Sequence, residues 1–309
     1  MLRKLFGLDK EKIDQPKPLV NDGVREVILH SLGLKSVPVM PGAAHHAFIV
    51  ATNPNSEARD FIELLEADEG LAARVLKIAN SVFYDRGGSS KSIIDAVNAI
   101  GITELRNLMN ATALGGLFPV RHYLRAEFWA HNIATALTAK IVAPAVGVAR
   151  KDQVFICGLM HDVGKLLLLQ QHMDRYERVL KRGLVDGVEA HQAEVKSYPF
   201  DHTQVGQLVA EKWNFSTELF AAIGEHHRGW GDLERDSLAA VIKLADAIVH
   251  ANGLGASHDR VAHERIYAPL LDDAWAFFGV PVRDQKSLSQ QATLAFNDEF
   301  PTYESWGKV

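Results

Sequence analysis

The sequence has a single cysteine, Cys157, so an internal disulfide framework is excluded and a reducing cytoplasmic compartment is expected. Long apolar runs are also missing. Runs such as Val154–Met160 and Leu166–Leu169 fall far short of the roughly 20 residues that cross a bilayer, so no membrane association is expected. The opening Met1-Leu2-Arg3-Lys4-Leu5-Phe6 turns charged at Asp9-Lys10-Glu11 before any apolar stretch of signal-peptide length. Positive charge is not in excess: 33 Lys and Arg stand against 38 Asp and Glu, a formal net charge of −5. Long-range electrostatics therefore supply no broad nucleic-acid-binding surface. Strand-like alternation and hairpin dipeptides are almost absent, and no internal repeat or low-complexity tract is visible. What is present is 47% hydrophobic and 23% charged, a globular composition, with helical spacing from end to end. The expected fold class is all-α, a two-lobed helical bundle.

Punctuation by proline and glycine suggests an organisation. Residues 1–20, with Pro16 and Pro18 among charges, read as an N-terminal arm, 21–118 as a first helical lobe, 119–251 as a second and 252–309 as a C-terminal helical extension. A first helix is expected from Asp22 to about Leu32, and Pro38 and Pro41 mark a connector. A helix follows with Ser56 as its cap and Phe61, Leu64 and Leu65 on one face, broken at Asp68-Glu69-Gly70. The next turns Leu71, Val75, Leu76 and Ile78 inward and ends near Asn80-Ser81, before a polar loop from Asp85 to Ser90. Another runs from Ile93 to Ala99 and stops at Gly101, with Thr103 as the cap of its successor; Leu117-Phe118-Pro119 separates the lobes. Further helices are expected over 128–142, 153–170, 173–182, 188–195, 203–213, 216–226 and 238–251, and two more near 266–278 and 287–296.

The 14 histidines are the informative residues. His161-Asp162 lies within Gly158-Leu159-Met160-His161-Asp162-Val163-Gly164-Lys165, the middle of an apolar helical stretch, where burying both groups unpaired would cost several kcal/mol. The pair must meet other buried polar groups or hold a cation. Roughly one His-Asp dipeptide is expected by chance in such a chain, and His258-Asp259, in a polar loop without apolar support, is assigned no role. His45-His46 follows a Pro-Gly turn and is expected to be solvated. The company of His161-Asp162 sets it apart. His131 precedes it, and His202, His226-His227 and Asp246 follow, each on or at the end of an amphipathic helix. Imidazole and carboxylate together are ligands for Fe, Mn, Zn or Ni, and facing helices of a bundle are where such sites are built. The alternative is that the buried histidines satisfy one another by hydrogen bonds.

The order His, His-Asp, His, His-His, Asp resembles the ligand pattern of the HD phosphohydrolase superfamily. The resemblance implies two divalent ions, Fe or Mn before Zn, Ni or Mg. One would sit on His131, His161, Asp162 and Asp246, the other on His202, His226 and His227, with Asp162 bridging. The first lobe narrows the likeness: Leu71 to Tyr84, with its Asn80-Ser81 end, followed by Ile93, Ala96-Val97 and Ile100-Gly101, resembles the HDOD signature, and Pro38, Pro41, Trp129 and Trp213 fall in keeping with it. The likeness covers about residues 25–250. Many HDOD proteins have lost HD ligands and are regarded as noncatalytic signalling modules, which implies a signalling protein as partner. Here every ligand position is filled, which keeps open a metal-dependent phosphohydrolase that acts on a nucleotide or phosphoester through a metal-activated water. Asp162 and Lys165 would then be catalytic: Lys165 follows His161 by four on one helical face and resembles the phosphate-contacting lysine of some HD hydrolases, a snorkelling surface lysine being the alternative. Cys157 reads as a small core residue. Glu225 and Asp201, each beside a candidate ligand, are candidates to orient an imidazole. In place of the Gly-Tyr-Pro element of HD relatives that hydrolyse cyclic dinucleotides stands Arg228-Gly229-Trp230-Gly231-Asp232, so that substrate is not supported.

Overall fold

Helix follows helix because the sequence supplies a starting cap at most junctions. In the computed structural model, which describes residues 20–81, 90–148, 151–255 and 260–304, the order is α1 (Asp22–Ser31), α2 (Gly42–Thr52), α3 (Ala58–Glu66), α4 (Glu69–Ala79), α5 (Ile93–Ile100), α6 (Ile102–Gly115), α7 (Tyr123–Ala145), α8 (Lys151–Met160), α9 (Val163–Asp186), α10 (Ala190–Ser197), α11 (His202–Lys212), α12 (Thr217–Glu225), α13 (Leu238–Ala251), α14 (Arg260–Phe278) and α15 (Val282–Glu304). The fold class is all-α. Among the described residues there is no strand, and no helix is long and apolar enough to cross a membrane. The expected arm over 1–20 falls almost wholly outside the described residues, as do His258-Asp259 and most of the loop expected from Asp85 to Ser90.

Side chains of Asn21, Asp68, Ser92, Asp201, Ser216 and Ser237 accept a first-turn amide and so start α1, α4, α5, α11, α12 and α13. Two expected caps are corrected. Glu57, not Ser56, starts α3, in a reciprocal pair with Asp60. Gly101, at φ 83, joins α5 directly to α6, which leaves Thr103 inside the helix. The connector expected at Pro38 and Pro41 is shorter than foreseen. Pro41 is the N-cap of α2, a helix that its low amphipathy concealed; a missing amide costs nothing where no intrahelical partner exists.

One hydrophobic cluster runs through the body from Val20 to Tyr303. Phe48 of α2 stacks on Phe215 with ring centroids 4.7 Å apart, Phe118 stacks on Trp213, and the Trp213 indole N–H donates to the Pro38 carbonyl at 2.9 Å. The Arg106 guanidinium, on α6, gathers the carbonyls of Ala51, Asn53 and Ser56 and fixes the link from α2 to α3. At the other end α15 packs along α7, where the Trp129 indole donates to the Tyr303 carbonyl at 3.0 Å. Helices 14 and 15 are both longer than their expected cores. Within α9, His172 leaves helical geometry (φ −134, ψ 43), in the interval 171–172 where the sequence separates two helices.

Candidate metal centre

The apolar stretch around His161-Asp162 is not one helix. It turns at these two residues, with α8 ending at Met160 and α9 starting at Val163, so the pair sits at a junction and not mid-helix as the run of apolar residues suggests. A turn there lets both side chains point at a common centre, which successive positions of a helix, about 100° apart, do not favour. Gly164 permits the approach. A Cβ at that position would collide with the His202 carbonyl, so the start of α9 lies directly on the start of α11 and brings Asp162 to His202.

All seven candidate ligands converge, from five places in the chain. His131 comes from the middle of α7, His161 and Asp162 from the junction, His202 from the first turn of α11, His226 and His227 from the end of α12 and Asp246 from α13. The two oxygens of Asp162 face different groups. Oδ2 lies 3.5 Å from His131 Nε2 and 3.4 Å from His161 Nε2, while Oδ1 lies 3.1 Å from His202 Nε2 and 3.7 Å from His226 Nε2. Asp246 Oδ1 is 3.0 Å from His131 Nε2 and 3.6 Å from His161 Nε2. Donor atoms of Asp162, His202, His226 and His227 lie within 4.8 Å of one another, as do those of His131, His161 and Asp162. His45 and His46 are exposed on α2 and take no part.

Proton positions decide whether these groups fit a cation. His161 Nδ1 lies 2.7 Å from the Gly158 carbonyl, and His226 Nδ1 lies 3.0 and 3.1 Å from the carbonyls of Ile223 and Ala222. Carbonyls only accept, so each ring carries its proton on Nδ1 and, when neutral, turns an Nε2 lone pair inward. His161 Nε2 is 3.4 Å from His131 Nε2, and His226 Nε2 is 3.4 Å from His202 Nε2. Buried His227 Nε2 makes no hydrogen bond. Burial also opposes proton uptake, pushing His226 down to about 4 and His131 below its ordinary range. For Asp162 burial acts toward the neutral acid, but His161, Lys165 and His202 outweigh it and hold the carboxylate ionised. Imidazole nitrogens and two carboxylates converging from five places in the chain are the donor set of a divalent metal, and the residues fit one.

Around this set lie groups that sequence reasoning placed wrongly or missed. Lys165 does not share a face with His161 in one helix; from the first turn of α9 its Nζ donates to Asp162 Oδ2 at 2.6 Å. Burial opposes its charge, but Asp162, Asp246 and Glu194 raise its pKa on balance. Asp201 and Glu225 do not orient imidazoles. The Asp201 carboxylate is spent on capping α11 through the amides of Thr203 and Gln204, and Glu225 pairs with Arg228 at 3.3 Å. The orienting carboxylate is Glu194 of α10, fully buried. Its Oε2 accepts from the His202 backbone amide and from His202 Nδ1, both at 2.7 Å, and its Oε1 accepts from the Tyr176 hydroxyl at 2.6 Å. Burial works against charge on His202, yet Glu194 and Asp162 lift its pKa to about 10. His250 was also missed. It follows Asp246 by four on α13, and its Nε2 is 3.3 Å from Asp246 Oδ1. The four-residue spacing was the signal. Glu189, His191 and His227 form a neighbouring group of donors.

Comparison with known proteins gives this arrangement a family. Residues 37–229 match the HDOD domain family. The chain is 22% identical over 195 residues to an uncharacterized protein of Treponema pallidum (strain Nichols), a match that takes in 63% of this chain and 38% of that protein's length. Among solved structures it is similar to an HDOD domain protein with unknown function from Geobacter sulfurreducens (TM-score 0.68, 22% identity, covering 90% of this chain and 95% of that one). It is also similar to a protein from Shewanella amazonensis SB2B provisionally assigned as a phosphohydrolase (TM-score 0.67, 24% identity, covering 91% and 97%).

Proposed function

The chain belongs to the HDOD domain family, and from that premise we propose that it is a signalling or regulatory protein whose helical body encloses a dinuclear centre for divalent metal, Fe or Mn before Zn, Ni or Mg. The observation that carries this reading is the division of the Asp162 carboxylate, with one oxygen toward His131 and His161 and the other toward His202 and His226. One ion would be held by His131, His161, Asp246 and Asp162, the other by His202, His226, His227 and the same Asp162. Glu194 fixes the His202 ring so that Nε2 points inward, and Gly158 and Ile223 do the same through their carbonyls for His161 and His226. In this role the protein's partner is another signalling protein.

A second reading, a metal-dependent phosphohydrolase acting on a nucleotide or other phosphoester, is favoured by Lys165. It is a buried ammonium held on Asp162 that also lines the cavity leading to the cluster, where it would neutralise charge on a phosphoryl oxygen. Divalent ions bound there would supply Lewis acidity toward that group. Asp162 and Lys165 would then be catalytic.

Elemental analysis of untagged protein tests the centre. Metal content should fall in His161→Ala and Asp162→Ala and stay unchanged in His45→Ala, and wild-type protein with less than about 0.2 ion per chain would refute the assignment. Turnover separates the two readings. A panel of nucleotides, cyclic dinucleotides and an aryl phosphodiester, with Mn or Fe under reducing conditions, should be hydrolysed by wild type and not by Asp162→Asn if the second holds. No turnover by metal-loaded wild type leaves the regulatory reading.

A further inference from the structure

Beside His202 and His226, the side chains of Glu189, His191 and His227 bring a carboxylate oxygen and two ring nitrogens within 4.8 Å of one another. The backbone makes this meeting possible. Glu189 precedes α10 in extended geometry (φ −62, ψ 156) and His191 sits in that helix's first turn, so two residues that a regular helix would turn about 200° apart can face one point. Their partner, His227, comes from the end of α12. Its ring stacks on that of His191, with centroids 4.3 Å apart and planes at 22°.

These groups do not satisfy one another. Glu189 stands at the N-cap position of α10 but its side chain makes no cap hydrogen bond, and the neighbouring Lys243 ammonium donates to the Arg228 carbonyl instead. Glu189 Oε2 lies 3.9 Å from His191 Nδ1 and 3.8 Å from His227 Nδ1, too far for hydrogen bonds. His191 Nδ1, buried, has no hydrogen-bond partner. Donors about 2.1 Å from an ion stand about 3.4 Å apart around a tetrahedron and about 3.0 Å apart around an octahedron, so the spacing here favours the tetrahedron. Two imidazoles and a carboxylate leave a fourth position for water, and all three side chains keep some exposure through which an ion can enter.

We propose that Glu189, His191 and His227 hold a further divalent ion, zinc by preference, with water as its fourth ligand. His227 then links two centres, with Nδ1 on this ion and Nε2, which makes no hydrogen bond, on the ion of His202 and His226. The proton of the ring leaves to solvent as the second of its two ions binds. The test is elemental analysis of the untagged full chain, stripped by chelator, equilibrated with zinc and freed of excess by gel filtration. Wild type should hold about one zinc per chain more than His191→Phe, which keeps a ring stacked on His227 and removes the nitrogens, and about one more than Glu189→Gln. Both variants should keep the zinc that His161→Ala loses. Equal zinc in wild type and both variants overturns the proposal, and the dinuclear centre then stands if zinc still falls in His161→Ala. Zinc that falls in His191→Phe and Glu189→Gln but not in His161→Ala upholds the proposal and removes the dinuclear reading.

Discussion

Replacing Glu194 by glutamine keeps the volume of a fully buried side chain and removes its charge. The carboxylate accepts three hydrogen bonds, from the Tyr176 hydroxyl and from two nitrogens of His202. The amide oxygen can take the position that accepts both His202 donors, and the amide nitrogen then faces the Tyr176 hydroxyl, which must turn its own hydrogen elsewhere. Bonds to a charged acceptor are worth about 1.5–3 kcal/mol and neutral ones about 0.5–1.5. The three together lose a few kcal/mol, part of which is offset because a neutral amide is less costly to bury than an ion. A net loss of about 1–2 kcal/mol in the stability of chelator-treated protein is expected for Glu194→Gln. Glu194→Ala orphans all three donors at about 1–3 kcal/mol each and adds a cavity, for roughly 4–6 kcal/mol, comparable to the whole stability of many domains. Metal affinity in Glu194→Gln should fall about 10- to 100-fold, because a neutral amide accepts from the His202 ring more weakly than the carboxylate and no longer raises its basicity. Urea unfolding gives the stabilities, and competition with a chromophoric chelator gives the affinities. Tyr176→Phe is the control: it removes one bond to Glu194 and should lower stability with little effect on affinity. Glu194→Gln that held metal as tightly as wild type, or Glu194→Ala less destabilised than Glu194→Gln, would refute the reasoning.

Three further outcomes are expected. Gly164→Ala should destabilise by at least about 2 kcal/mol and weaken metal binding, since its Cβ forces α9 away from the His202 carbonyl; a stabilised variant in thermal melts, the usual result of adding a methyl to a helix, would contradict the close approach. Cys157, buried with its thiol pushed up by burial, should resist a disulfide reagent in native buffer and react once the chain is unfolded, and a native rate like that of a free thiol would count against its packing. Chelator-treated protein should lose stability as pH falls from about 6.5 toward about 4, because burial holds His226 and His191 neutral, each pushed down to about 4, while the unfolded chain takes up those protons nearer 6.5. Unfolded chain binding more protons makes stability rise with pH across that window. A melting temperature flat over it would show that these rings are not held neutral.

The sequence by itself determined the fold class, because apolar spacing and caps such as Asp68, Ser92 and Ser237 act within a few residues and can be read in order. It also picked out the histidines and aspartates that converge, because groups so costly to bury have few reasons to stand in apolar surroundings. It did not determine α2, whose apolar residues are spread around the helix, or the turn at His161-Asp162, where unbroken hydrophobicity reads the same for one buried helix as for two. Only the tertiary structure decided which carboxylate supports His202. Asp201 is adjacent in sequence but its local amides claim it, whereas Glu194, eight residues away, is carried by a separate helix to a fully buried position against the His202 ring. The same holds for Lys165: a contact between helices depends on how closely their axes pass, and the glycine at 164 sets that distance through backbone atoms that no local pattern locates.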